Sequence, residues 1–302
     1  MEIYAPKYYL DFKCIASNCK HSCCIGWEID VDKKSLEKYA NLKGLYKEEI
    51  LKSIEHNPTP HFKLLKDKKC PHLDQKGLCK IISNFGEDCL CDICREHPRF
   101  YNYTPLGLEV GLGLSCEESC RIILSSPFYD EFIKVGLTSE YEEDFEFNPL
   151  PIRNKIFAVL KDEKLSYKQK LVILSTEFSV NLKELSDCDW KDVLSSLEYL
   201  DESHKELFFN YSSTASNTPE NLEIYLERAL AYFVFRHLTK AQSECEIKSY
   251  LGLCLFLERL LCSVLRARKA FLLNEIIPLA ITLSEEIEYN EDNVESILFQ
   301  FI

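Results

Sequence analysis

Four thiols fall within eleven residues near the start of this chain, at Cys14, Cys19, Cys23 and Cys24. A segment that short can turn several sulfurs onto one point, which a soft, thiolate-loving metal requires. Seven more cysteines follow up to Cys120 and four lie beyond it, making 15 in 302 residues. An odd total fits full disulfide pairing badly. Residues 1–12 show no basic segment leading into an apolar core, so no signal peptide is expected and a cytoplasmic setting is. Thiols stay reduced there, and metal explains their density better than bridges.

The formal net charge is −13, and the one basic stretch, Lys63 to Lys69, is broken by Asp67. Phosphate contacts need clustered Lys and Arg, so no nucleic-acid partner is expected. The most apolar run, Leu251 to Leu265, has Glu258 and Arg259 at its centre. It is too short to span a bilayer and reads as a buried helix, so no membrane is expected either. With 46% hydrophobic residues, 9 Gly and 11 Pro, the chain is globular and poor in strand-and-turn punctuation.

Taken in order, Trp27 to Val31 alternates like a short strand, and Asp32 is placed to cap a helix through Lys33–Tyr39. Leu45 to His56 repeats at helical spacing, ending at Asn57-Pro58-Thr59-Pro60. A turn at Gln75-Lys76-Gly77 brings Cys70 and Cys79 into a hairpin-like return. Phe100 to Leu114, around Pro105-Leu106-Gly107, predicts a β-hairpin. Ser115 and Glu118 have the spacing of a capping box, with Cys116 at the first helical position and Cys120 one turn on. A helix start there favours a thiolate at Cys116. Residues 139–147 read as an acidic surface linker. Beyond Pro151 helices are expected near 151–162, 166–185, 190–199, 220–238, 244–269 and 291–301. The fold class is therefore mainly α: a cysteine-rich metal-binding unit over 1–126 with a small β-hairpin, then a helical domain over 127–302.

Eight cysteines are the candidate metal ligands: Cys14, Cys19, Cys23, Cys24, Cys70, Cys79, Cys94 and Cys116. Cys188, Cys245, Cys254 and Cys262 read as small hydrophobes of the helical part. Cys89, Cys91 and Cys120 stay open between the two roles. Zinc ribbons pair short knuckles, whereas here the spacings are irregular and several cysteines stand alone, which suits an iron–sulfur cluster at least as well. Adjacent Cys23 and Cys24 project differently, so the two are not expected on one metal atom. His21, His72 and His97 lie among the thiols and are expected to be structural, although ligation or acid–base work is open to them. There is no dinucleotide fingerprint, no Walker A loop and no H-E-x-x-H.

The pattern Tyr4-x-Pro6-x-Tyr8, Phe12-x-Cys14, Cys19-x3-Cys23-Cys24-x-Gly26-Trp27 and Cys70-x-x-Leu73 resembles the flagellin lysine-N-methylase family. The likeness continues through Gly77-Leu78-Cys79, Cys94-x-x-His97-Pro98-Arg99 and Leu114-Ser115-Cys116, covering about residues 4–124. The chain is also similar to the wider group of small zinc- or iron-chelating cysteine-rich proteins. Further on the resemblance is looser, through Tyr225–Phe235 and Ser284-x-x-Ile287-Glu288, with Glu285 and Tyr289 where the family favours Arg and His. The resemblance implies a bacterial protein-lysine methyltransferase acting on flagellin or another protein, with S-adenosylmethionine as donor. It also implies a 4Fe–4S cluster on the cysteines. The glycine-rich loop of doubly wound methyltransferases and the C-x3-C-x2-C run of radical enzymes using the same donor are both missing. No donor-binding or catalytic residue is assigned, and Tyr101 and Tyr103 are candidates by position alone. Two other classes remain: a non-catalytic zinc- or iron-binding interaction protein, and an iron–sulfur redox protein.

Overall fold

The computed structural model describes residues 1–139, 145–183, 187–212 and 219–302, and the side chain of Cys188 is outside the description. Most of the expected acidic linker, the end of the helix expected over 166–185 and Thr218 lie outside the described residues.

In chain order the elements are β1 (Glu2–Pro6), β2 (Ile29–Asp30), α1 (Lys33–Asn41), α2 (Tyr46–Lys52), β3 (Ile54–Glu55) and β4 (His61–Phe62). Then come α3 (Lys80–Phe85), α4 (Asp92–Glu96), β5 (Arg99–Thr104), β6 (Gly107–Leu112), α5 (Glu117–Ser125) and β7 (Phe132–Leu137). The helical remainder is α6 (Leu150–Lys161), α7 (Tyr167–Glu177), α8 (Asp187–Ser196), α9 (Ser203–Phe208) and α10 (Glu220–His237). It continues through α11 (Glu244–Arg268), α12 (Leu273–Leu283), a π-helical turn Ser284–Glu288 and α13 (Glu291–Leu298). The mainly α reading holds.

Two compact units result, one of Lys13–Arg99 and one of Met1–Phe12 with Phe100–Ile302. This differs from a division at residue 126. The cause is β1, which pairs parallel with β6 (Ile3 with Leu108, Tyr4 with Glu109) and antiparallel with β7 (Glu2 with Leu137, Pro6 with Phe132). The hairpin is thus half of a four-stranded mixed sheet, ordered β5-β6-β1-β7. Every residue of β6 is buried, so the strand needs partners and cover that a free hairpin lacks. Gly107 begins β6 at φ +145°, and a Cβ there would stand 2.5 Å from the Glu2 carbonyl oxygen. Only glycine admits β1 that closely.

In the larger unit, α10 is buried without a break from Ala229 to His237 and α11 from Leu251 to Cys262. A helix apolar on all sides belongs at the centre of a core. The run read as a buried helix is that centre. Trp190 of α8 stacks on Phe256 of α11 with ring centroids 4.3 Å apart. Among the described residues no helix is long and apolar enough to cross a membrane.

The smaller unit has its own core of Ile29, Val31, Tyr39, Ile50, Ile54, Phe62, Cys70, Ile81 and Cys91. Its sheet runs β2-β4-β3, with Phe62 opposite both Ile29 and Ile54. Asp32 caps α1 as expected, accepting from the Ser35 amide at 2.9 Å. The helix expected over Leu45–His56 stops at Lys52, because Ile54 joins the sheet instead.

Candidate functional site

Within Lys13–Arg99, backbone pairing carries distant thiols toward each other. The Cys70 amide donates to the Cys24 carbonyl at 2.8 Å, and Ile25 bridges to Lys69. Leu73 bridges to Cys79, and Asp74 Oδ1 accepts from the Lys76 and Leu78 amides, closing the expected hairpin-like return. Cys79 then stands at the N-cap of α3. Cys91 stands at the N-cap of α4, and Cys94 follows one turn later. Asp32 ties the arrangement together: while capping α1 it also accepts from the Asp92 amide at 2.9 Å. The start of α4 is thereby fixed to α1.

Cys70 and Cys91 are buried in the small core, and Cys24, Cys79, Cys89 and Cys94 pack against it. The sulfurs of Cys24, Cys70, Cys79, Cys91 and Cys94 act on one another electrostatically. Burial pushes the Cys70 thiol up to about 12 and raises Cys79. The hydrogen bond between Cys91 and Cys94 draws the Cys91 pKa down and forces that of Cys94 up, so the two titrate as a pair. A hydrogen bond from Cys23 brings Cys24 down to about 7.

The eight candidate cysteines therefore separate. Cys24, Cys70, Cys79 and Cys94 gather. Cys14 and Cys23 are exposed, with Cys14 accepting from the Ala16 amide at 3.4 Å. Cys19 points its thiol at the His21 carbonyl, 2.9 Å away. Cys116 belongs to the larger unit, as the N-cap of α5. It takes that place from Ser115, whose buried hydroxyl makes no capping bond, so the expected capping box does not form. Of the cysteines left open, Cys91 joins the gathered group, and Cys120 is buried in the larger core with its sulfur 4.0 Å from the Ile277 carbonyl.

His72 is held on both nitrogens. Ser53 spends its proton on the Ile50 carbonyl at 2.7 Å, so its oxygen accepts from His72 Nε2 at 2.8 Å. Nδ1 must then accept from the Tyr46 hydroxyl at 2.7 Å. Burial lowers the His72 pKa to about 4. The ring is neutral and fully engaged, the structural role expected of it. Burial likewise lowers His97 to about 4.

Among the described residues, no three or more His, Cys, Asp or Glu side chains are set in a geometry that would hold a metal ion. What is present is a gathering of thiols whose donor chemistry suits a soft metal. Burial opposes thiolates here, and a bound cation reverses that balance. The Tyr39 hydroxyl is fully buried and hydrogen-bonds the Cys91 sulfur, which takes part in lowering the Cys91 pKa. Tyr101 and Tyr103, candidates by position, are exposed on β5.

A second polar assembly occupies the larger unit, and it includes Glu288 of the Ser284-x-x-Ile287-Glu288 stretch. The π-helical turn aims Glu286 and Glu288 into the protein. Glu286 accepts from the amides of Leu200 at 2.7 Å and Asp201 at 3.3 Å, and pairs with His204 at 2.6 Å. Glu288 meets Arg236 and His237 of α10. Only the fold brings Glu288 to His237, 51 residues away, and Glu286 to His204, 82 residues away.

No protein-family model and no solved structure matches the chain. Among curated proteins it is 28% identical over 131 residues to flagellar biosynthetic protein FliU of Salmonella muenchen, covering 40% of this chain and 76% of that protein. It is also 28% identical over 131 residues to the lysine-N-methylase of Salmonella typhimurium, covering 40% of this chain and 32% of the methylase. The lysine-N-methylase of Salmonella choleraesuis matches at 28% over 136 residues with the same coverage. These matches support a relationship to the flagellin lysine-N-methylases over part of the chain. The chain spans less than a third of the length of the two methylases, at 32%.

Proposed function

We propose that this chain is a protein-lysine N-methyltransferase that uses S-adenosylmethionine, acts on flagellin and carries a thiolate-bound 4Fe–4S cluster in Lys13–Arg99. The observation that carries the reading is the convergence of Cys24, Cys70, Cys79, Cys91 and Cys94 in a chain related to lysine-N-methylases. In the reaction, the lone pair of a neutral lysine Nζ forms a bond to the sulfonium methyl carbon. The carbon–sulfur bond breaks, its electrons go to sulfur, and the amine loses one proton. The protein's task is to align donor and acceptor in line and to stabilise the spreading charge. When bound, the cluster would cross-link the separate segments that carry the thiols.

A second reading, a zinc-stabilised interaction protein, is favoured by the two-residue gap between Cys91 and Cys94, a spacing of zinc knuckles. Anaerobic purification with metal and sulfide analysis, followed by transfer of labelled methyl to flagellin, separates the two. Iron, sulfide and labelled methyl-lysine are expected. Colourless protein with stoichiometric zinc and no transfer would overturn the methylase reading.

A further inference from the structure

We propose that the groove between α8 and α13 docks a cationic amphipathic segment of a partner protein, one that sets an apolar side chain between lysines. The inference rests neither on a bound metal nor on methyl transfer. The groove has a volume of about 400 Å³. Val193 and Ser196 of α8 form one wall, Glu295 and Ser296 of α13 the other, and Phe299 and Gln300 follow directly after α13.

The two helices are pinned to each other at both ends of the groove. At one end the Asn293 side chain accepts from the Glu198 amide at 2.9 Å and donates to the Glu198 carbonyl at 2.7 Å. At the other, Trp190 lies against Phe301, ring centroids 5.7 Å apart. Phe299 and Phe301 share one 3₁₀ turn, on which residues two apart point different ways. Phe301 is buried in the core, so Phe299 is left 72% exposed beside the groove. A large aromatic held in water on a fixed mount gains nothing within this chain, and aromatics of this kind are enriched in interfaces. A groove formed in advance also loses little freedom on binding.

Charge selects the occupant. Side chains four apart share a helix face, so Asp189 and Asp192 extend the wall of Val193 and Ser196, and Asp292 extends that of Ser296. The one cation of α8, Lys191, is two positions from Val193 and lies off that face. From Ala270 to Ile302 there are seven acidic residues and no Lys or Arg. A place in the first turn of a helix accounts for Asp189 and Asp292 through the helix dipole, but not for Glu295 within the wall. An apolar middle between carboxylates attracts lysines that flank an apolar side chain and repels an acidic segment. A lysine laid over the Phe299 ring adds a cation–π attraction, and its stem covers the ring's apolar surface.

The test titrates the full chain into a fluorescein-labelled amphipathic peptide of Leu and Lys and reads its anisotropy. Saturable binding that weakens with salt is expected, and none for the same peptide with Glu in place of Lys. Phe299→Ser and Glu295→Lys are each expected to weaken binding about tenfold. Both residues are exposed, so both variants should fold, and if Phe299→Ser does not, Glu295→Lys decides. Glu163→Lys makes the same charge change at an exposed position between α6 and α7 and should bind as wild type does. No binding of the Leu and Lys peptide would overturn the proposal. So would equal losses in Glu163→Lys and Glu295→Lys, or polylysine binding that ignores Phe299→Ser, since diffuse charge attraction would then suffice. Sedimentation of the protein alone tests the other occupant, a second copy offering its exposed Lys66 and Lys68. Self-association lost both in Phe299→Ser and in Lys66→Glu with Lys68→Glu would give the groove to that copy and overturn the partner. Methyl transfer plays no part in these readings, so its failure would leave the docking site standing.

Discussion

His237 and Glu288 meet in the core of the larger unit, imidazole Nε2 2.8 Å from carboxylate Oε1, with both side chains buried. Glu288 Oε1 also faces Arg236 Nε at 3.4 Å, and Oε2 accepts from the Tyr232 hydroxyl at 3.3 Å. Tyr232 in turn accepts from the Leu114 amide at 3.2 Å and from Arg236 Nη1 at 3.0 Å. One carboxylate thus joins the π-helical turn to α10, and through Tyr232 to the end of the sheet.

Acid is expected to weaken this unit. Burial lowers the His237 pKa, outweighing the pull of Glu288, so the folded ring stays neutral while the unfolded one protonates near its ordinary value of about 6.5. Burial alone would raise Glu288, but Arg236 and the His237 hydrogen bond overcome it and hold the carboxyl below its ordinary value. For both groups the unfolded chain binds more protons as pH falls, so stability is present at neutral pH and lost below it. The His237 share goes first, from about pH 6.5 downward, and the Glu288 share follows below the ordinary carboxylate range. Urea midpoints between pH 7 and pH 4 should fall, and the first part of the fall should be shallower in His237→Gln. An equal slope in both proteins would remove His237 as the cause.

Arg153 and Glu109 form another buried charge pair, with two parallel bonds of 2.6 and 2.8 Å and almost no exposure of either side chain. The guanidinium also lies 4.4 Å from the centre of the Phe132 ring. Glu109→Ala strands a buried cation and should cost about 3–5 kcal/mol in denaturant unfolding. The double variant Glu109→Leu with Arg153→Met removes both charges and should recover most of that loss. If the double variant is as unstable as the sum of the two single ones, desolvation is not what the pair is offsetting.

How far these features could be read in the sequence depends on the range of the interaction. The Asp32 cap, the Cys70–Cys79 return, the β5–β6 hairpin and the buried run around Cys254 depend on neighbours a few residues away, and all were legible. Strand β1 was not, because its pairing with β6 joins residues 2–6 to residues 107–112 and leaves no local signal beyond alternation. The Ser115 capping box had the right spacing but lost to the burial of Ser115, which let Cys116 take the cap position. Cys91 shows the same limit. Its two-residue gap to Cys94 was visible, but its burial and the facing Tyr39 follow from Asp32 clamping α4 to α1, which no spacing rule contains. Glu288 was marked as the end of the Ser284-x-x-Ile287-Glu288 stretch, but its meeting with Arg236 and His237 emerges only when the π-helical turn aims it inward.

Gly252 tests how tightly α11 is packed. It sits mid-helix, where alanine is intrinsically better than glycine by about 1 kcal/mol. A Cβ there would stand 2.5 Å from Cγ of the Phe301 ring. That is the base of the ring, not a movable tip, and overpacking of this kind costs about 1–3 kcal/mol. The clash should win, so Gly252→Ala is expected to lower the thermal midpoint. Gly252→Ala with Phe301→Leu should regain part of it. A Gly252→Ala protein more stable than wild type would mean that Phe301 moves aside without cost.

Cys254 separates a packing thiol from a ligand. It is fully buried in the larger core on α11, and burial raises its pKa well above the ordinary value, so it stays a protonated, hydrophobe-like side chain. Serine keeps the shape but puts a hydroxyl where sulfur had been, at a cost of about 1–3 kcal/mol for the polar group. Cys254→Ser should therefore lose stability in denaturant while its metal per chain stays at the wild-type value. Cys94→Ser should show the opposite weighting, with metal lost even under conditions where the protein is still folded by circular dichroism. Equal loss of metal in both variants would show that metal content follows global stability, and the gathered thiols of Lys13–Arg99 would then have no special claim to it.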